Sequence, residues 1–132
     1  MSLKGLEGTD SNMIYTQDKP YGNIDVGFKP DLVWIKQRSG SASHSLQDSV
    51  RGAGQNYNLY SDNTAYQGQY GIYGYLSSFD TNGFSVAVGS GSHTNANGST
   101  YVAWNWKAGG AAVSNTDGTA TNVQVSANTD AG

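Results

Sequence analysis

The chain predicts an all-β fold, an antiparallel β-sandwich, on three observations. Apolar residues recur with period two in short runs, the alternation that puts them on one face of a strand. No window of about eleven residues carries the i, i+3, i+4, i+7 apolar spacing of an amphipathic helix without glycine interruption. The runs are divided by clusters of Gly, Ser, Asn and Thr, in a chain with 18 glycines and 2 prolines. Strands without crossover helices make antiparallel layers rather than a parallel α/β sheet.

Nine strands follow from this pattern. Residues 12–17 form a short first candidate, and 24–28 a second, closed by Lys29-Pro30. The strongest apolar run is DLVWIKQ at 31–37, with Leu32, Trp34 and Lys36 on one face and Val33 and Ile35 on the other. After a turn at 39–41, residues 44–50 alternate, with His44, Leu46, Asp48 and Val50 sharing a face. A short strand at 58–61 precedes one at 76–80. The latter runs into Thr81-Asn82-Gly83, a hairpin-type turn whose residues tolerate positive φ. Residues 84–88 follow, with Phe84, Val86 and Val88 inward. STYVAWNWK at 99–107 puts Val102, Trp104 and Trp106 on one face and Tyr101, Ala103 and Asn105 on the other. The indole stripe, with Trp34, reads as core, and a sugar-stacking platform is its alternative. The last candidate is 121–127, with Val123 and Val125 together.

The chain has 132 residues, one domain's length, read as an N-terminal extension at 1–11 and a single domain at 12–132. The extension lacks the apolar stretch of a signal peptide. The final ANTDAG offers no closing strand, so a longer parent chain or packing on a neighbouring copy is expected. With 0 cysteines, disulfides and thiolate metal sites are excluded. The net charge of −3 argues against a nucleic-acid partner. No apolar run approaches the roughly 20 residues of a membrane-spanning helix.

Residues 57–75 read YNLYSDNTAYQGQYGIYGY and hold six of the 9 tyrosines: Tyr57, Tyr60, Tyr66, Tyr70, Tyr73 and Tyr75. Tyr, Ser, Gly and Asn are the mix binding loops favour, because tyrosine supplies amphipathic contact area at small entropic cost. The segment is therefore read as a long surface excursion whose tyrosines contact a ligand. A tyrosine-rich edge strand and loop packed on the sandwich is the other reading.

Reaction machinery is not evident. A glycosidase needs two carboxyls a few ångströms apart, and Asp31, Asp48, Asp62 and Asp80 each have an ordinary role at a turn or strand end. His44 and His93 have no GxSxG elbow to serve and read as surface or half-buried residues. No cofactor is implied. Ca2+ is the metal that oxygen-rich loops would take, at DTNG from Asp80 or NTDG from Asn115, but Asx-turns explain both. Arg51 in DSVRG is expected to pair with Asp48 or Asp31 and pin a corner.

Five segments in order, VGFKPDLVWIKQRS (26–39), HSLQDSVRGA (44–53), NLYSDNTA (58–65), LSSFDTNGFSVAVG (76–89) and GSTYVAWNWKAGG (98–110), resemble a repeat domain of tail-fibre and other virion structural proteins of tailed bacteriophages, marine and cyanobacterial phages especially. The resemblance implies a concanavalin-like or jelly-roll sandwich, one unit of a longer repeat protein, made in the host cytoplasm and carried on the virion. It implies a non-catalytic adhesin that binds a host-surface carbohydrate or receptor beside other virion proteins. A structural oligomerisation unit, forming a homo-oligomer, and a glycan hydrolase are the alternatives. The departure from the family pattern is 66–75, where a shorter and less tyrosine-rich connection is expected.

Overall fold

The computed structural model describes residues 11–16, 21–108 and 113–125. Among the described residues nine strands form in chain order: β1 (Ser11–Thr16), β2 (Tyr21–Asp25), β3 (Leu32–Gln37), β4 (Ser45–Asp48), β5 (Tyr75–Asp80), β6 (Gly83–Ala87), β7 (Thr100–Trp106), β8 (Val113–Ser114) and β9 (Gln124–Val125). They pair antiparallel into a four-stranded sheet, β1-β7-β3-β4, a three-stranded sheet, β2-β6-β5, and the small β8-β9 hairpin. The chain alternates between the two larger sheets, and one apolar cluster joins their faces: Ile24, Leu76, Phe84 and Val86 from one, Val33, Ile35, Tyr101 and Ala103 from the other. The fold is an all-β antiparallel sandwich. Among the described residues no helix is long and apolar enough to cross a membrane.

Several expected strands are trimmed by side chains that bond their own backbone. The second runs 21–25 rather than 24–28, because Asp25 Oδ1 accepts from the Gly27 amide at 2.8 Å and Gly27 sits at φ 88°, so the chain turns there. The strand expected at 44–50 stops at Asp48, whose Oδ1 accepts from the Arg51 amide, and Val50 lies exposed in the turn. The strand expected at 58–61 is reduced to a bridge between Leu59 and Leu46. The strand at 83–87 ends before Val88, which is exposed rather than inward. At the end of the chain pairing covers only 124–125, and 126–127 lie outside the described residues.

The main correction concerns the indoles. Trp34, Trp104 and Trp106 are not core: they are partly buried on the outer face of the four-stranded sheet. The inner face carries Val33, Ile35 and Gln37 of β3 against Asn105, Ala103 and Tyr101 of β7. Both faces of these strands are apolar enough to be buried, and the facing Leu76, Phe84 and Val86 leave room for Ala and β-branched residues beside the single Tyr101 ring. On the outer face Trp34 and Trp104 are cross-strand partners with ring centroids 5.1 Å apart. The Trp34 indole N–H donates to His44 Nδ1 at 2.8 Å. Such a pair adds roughly 0.2–1 kcal/mol to the sheet.

Candidate functional site

Residues 49–74 connect β4 to β5 as an excursion with two 3-10 turns, Gln55–Tyr57 and Gly71–Tyr73. The excursion is anchored by a buried polar network. Asn58 Oδ1 accepts from Ser45 Oγ at 2.7 Å and from Gln47 Nε2, while Asn58 Nδ2 donates to the Gly74 carbonyl at 3.2 Å. Arg51 adds a second anchor. Its Nε donates to Asp48 Oδ2 at 2.5 Å and its Nη1 to the Tyr57 carbonyl and Gln67 Oε1. The expected pairing is thus with Asp48. Burial alone would raise the Asp48 pKa, but hydrogen bonds from Arg51 and its charge outweigh this and hold the carboxyl below its ordinary value.

The six tyrosines divide by exposure. Tyr57, Tyr66 and Tyr73 present their rings to solvent, at 40%, 73% and 41% exposure. Tyr70 and Tyr75 are partly buried. Tyr60 is sealed at 8%, and its hydroxyl accepts from the Tyr70 amide at 2.8 Å, so its ring is an internal wall of the excursion. Burial raises the Tyr60 pKa against the lowering effect of that amide. The structure therefore brings Tyr60, Tyr70 and Tyr73 together, with Tyr70 and Tyr73 stacked at 6.2 Å, and leaves Tyr57 and Tyr66 outside that stack.

His93 completes this aromatic cluster, with ring centroids 5.5 Å from Tyr73, 6.3 Å from Tyr60 and 6.5 Å from Tyr70. The histidine is more deeply buried than a surface residue, at 8% exposure, and its Nδ1 meets no hydrogen-bond partner. An unpaired buried group of this kind costs about 1–3 kcal/mol. Burial lowers its pKa, with Asp62 opposing and Lys36 reinforcing the shift. Beside Tyr73 and His93 opens a cleft of ≈ 450 Å³, lined also by Gln37, Gly40, Ser41, Ala42, Gly91 and Ser92. Apart from Tyr73, sequence reasoning missed the residues flanking this cleft. The signal was the matching composition of two loops, SGSA at 39–42 and GSGSH at 89–93.

Each of the four carboxylates is engaged by protein donors, Asp48 by Arg51 as above. Asp31 accepts from Ser49 Oγ and the Ala108 amide, and Asp62 from the His44 amide and Asn63 Nδ2. Asp80 accepts from Asn23, Ser78 and Ser85. Each holds a corner of the fold. Among the described residues no group of three His, Cys, Asp or Glu side chains is placed to hold a metal ion. The DTNG and NTDG segments form local turns, with the Asp117 amide bonded to Asn115 Oδ1.

A family model described as Domain of unknown function (DUF7483) matches residues 9–132. No curated protein and no solved structure matches the chain.

Proposed function

The chain belongs to the DUF7483 family, and for this member we propose a non-catalytic recognition module, carried on a phage virion, that binds a host-surface carbohydrate or receptor through its tyrosine-rich excursion. The observation that carries this reading is the exposure of Tyr57, Tyr66 and Tyr73 on a segment whose backbone is held by Asn58 and Arg51. Exposed rings on a fixed scaffold bind at little ordering cost, which is how rigid paratopes reach affinity. The resemblance of five ordered segments to phage fibre repeats supports the virion setting, and the elaborated 66–75 region is where a shared scaffold would vary its specificity. The tyrosines offer flat faces to sugar rings and hydroxyls to their polar edges.

The test is binding of the labelled protein to a panel of bacterial cells and their surface polysaccharides. Replacing Tyr57, Tyr66 and Tyr73 with alanine should abolish binding while the melting temperature stays near that of the parent. Full binding by the triple variant removes the excursion as the contact surface. A second reading is favoured by Ile72, exposed next to Tyr73: a homo-oligomer would bury both. Light scattering separates the two, since a stable trimer whose assembly the same substitutions dissolve makes the excursion an architectural contact.

A further inference from the structure

We propose that the cleft between the 39–42 and 89–93 loops is a subsite for a neutral pyranose, with Tyr73 as its stacking wall and His93 as its hydrogen-bonding group. This deepens the carbohydrate reading above and rests on it. The cleft's ≈ 450 Å³ lies within the roughly 300–1,000 Å³ of small-molecule sites.

Its lining sets the ligand's charge. Among the described residues no lining side chain is an acid or a permanent cation. Nearby, Lys36 Nζ is turned to the carbonyls of Gly40 and Ala42, at 3.3 and 2.8 Å. Asp62 commits its Oδ1 to the His44 amide and Asn63. These two charges act on His93 in opposite senses, Asp62 ahead of Lys36, so no net positive charge awaits an anion there. A sulfated, phosphorylated or uronic-acid sugar would lose its hydration without gaining a counter-charge. A neutral sugar loses only hydroxyl–water contacts, which Ser41, Ser92 and the imidazole replace.

Two features make the site preorganised. The His93 ring is confined by three tyrosines and its Nδ1 is enclosed without a protein partner, so Nε2 is the nitrogen left to meet a ligand from a fixed orientation. Burial disfavours the imidazolium, which leaves a neutral ring whose Nε2 donates or accepts according to its tautomer. Gly91 packs so close that a Cβ there would lie 2.8 Å from Tyr73 Cβ, and this fixes the loop against the stacking wall.

The experiment is NMR of the full chain titrated with methyl β-galactopyranoside, methyl α-glucopyranoside and the anionic methyl galacturonoside. A neutral glycoside should shift the His93 imidazole nitrogens and the Tyr73 ring signals, and the anionic sugar should bind at least about tenfold more weakly. Tyr73→Ala and His93→Gln should each weaken the neutral sugar by about tenfold. The Tyr73 ring is half in solvent, so that variant keeps the test open if His93→Gln folds poorly. Shifts confined to Tyr57 and Tyr66 overturn the subsite and leave the carbohydrate reading standing. So does the absence of any glycoside shift in a protein that still binds cells. Tighter binding of the anionic sugar overturns the assignment of a neutral ligand. Loss of both glycoside and cell binding overturns both proposals.

Discussion

Asn58 is the residue on which the excursion hangs. Its amide satisfies Ser45, Gln47 and the Gly74 carbonyl inside the sandwich, where water does not reach. Asn58→Ala removes all three partners at once. Each orphaned buried group costs about 1–3 kcal/mol, and relaxation keeps the sum below full additivity. A loss of about 3 kcal/mol in urea denaturation is expected, and a loss under about 1 kcal/mol would show that the groups find other partners. Among the described residues His93 and Asp48 carry the pH dependence on the acid side of neutrality. Burial depresses the His93 pKa, so the folded state binds fewer protons on this ring than the unfolded chain. The stability involved is present above the ordinary imidazole value of about 6.5 and is lost as pH falls through it toward the folded pKa. In His93→Gln the difference between neutral and mildly acidic stability should shrink. Asp48 is also depressed in the folded state, so its contribution is present above the ordinary carboxylate range and is lost as pH falls through its folded pKa. Asp48→Asn should flatten that more acidic limb and leave the His93 limb intact.

The two 3-10 turns of the excursion meet through Gly71, where a Cβ would lie 1.9 Å from the Gln55 carbonyl oxygen. Gly71→Ala must push the turns apart, and with them Tyr57 and Tyr73. The expected result is a stability loss above about 2 kcal/mol together with lost ligand binding, whereas Tyr66→Ala should stay within about 0.5 kcal/mol. Equal melting temperatures for the two variants would show that the turns are not packed as described. The loop before β7 depends likewise on Tyr101, whose hydroxyl accepts from the Ala96 amide at 2.8 Å and donates to the Ser92 carbonyl at 2.9 Å. Tyr101→Phe should speed hydrogen exchange at Ala96 and cost about 1–2 kcal/mol. At this scale the strands were legible, and so was the inward face of β6 at Phe84 and Val86, but the facing of β3 and β7 was not. Alternation located β3, β6 and β7 to within a residue or two, because period two survives any partner. Which face turns inward depends on residues of the other sheet, and Leu32, Trp34, Val102 and Trp104 look as apolar as Val33, Ile35, Tyr101 and Ala103. Asn105 misled in the same way, since a polar side chain reads as exposed until its buried surroundings are known. The tyrosine-rich excursion was legible from composition, but which of its rings face solvent was not, Tyr60 being sealed. The cleft was not, because two loops some fifty residues apart assemble it.

Among the described residues the two larger sheets are joined by one cluster that takes side chains from both, so neither has a core of its own. This makes cooperative unfolding the expectation, and the position of the indoles allows it to be tested. All 3 tryptophans lie in β3 and β7, so their emission reports on the four-stranded sheet alone. Leu76 lies in the other sheet, fully buried, and contributes to the shared cluster. Leu76→Ala deletes buried carbons and leaves a cavity, at a cost of about 3 kcal/mol within the 2–5 kcal/mol range for such truncations. If the sheets unfold as one unit, the urea midpoint read by tryptophan emission should fall by as much as that read by amide exchange in β5 and β6. Separate units predict a different pair of curves: the exchange midpoint drops and the emission midpoint stays at the parent value. Coincident shifts would tie the excursion's stability to the whole sandwich, since its Asn58 and Arg51 anchors hang on β4 in one sheet and its far end continues into β5 of the other.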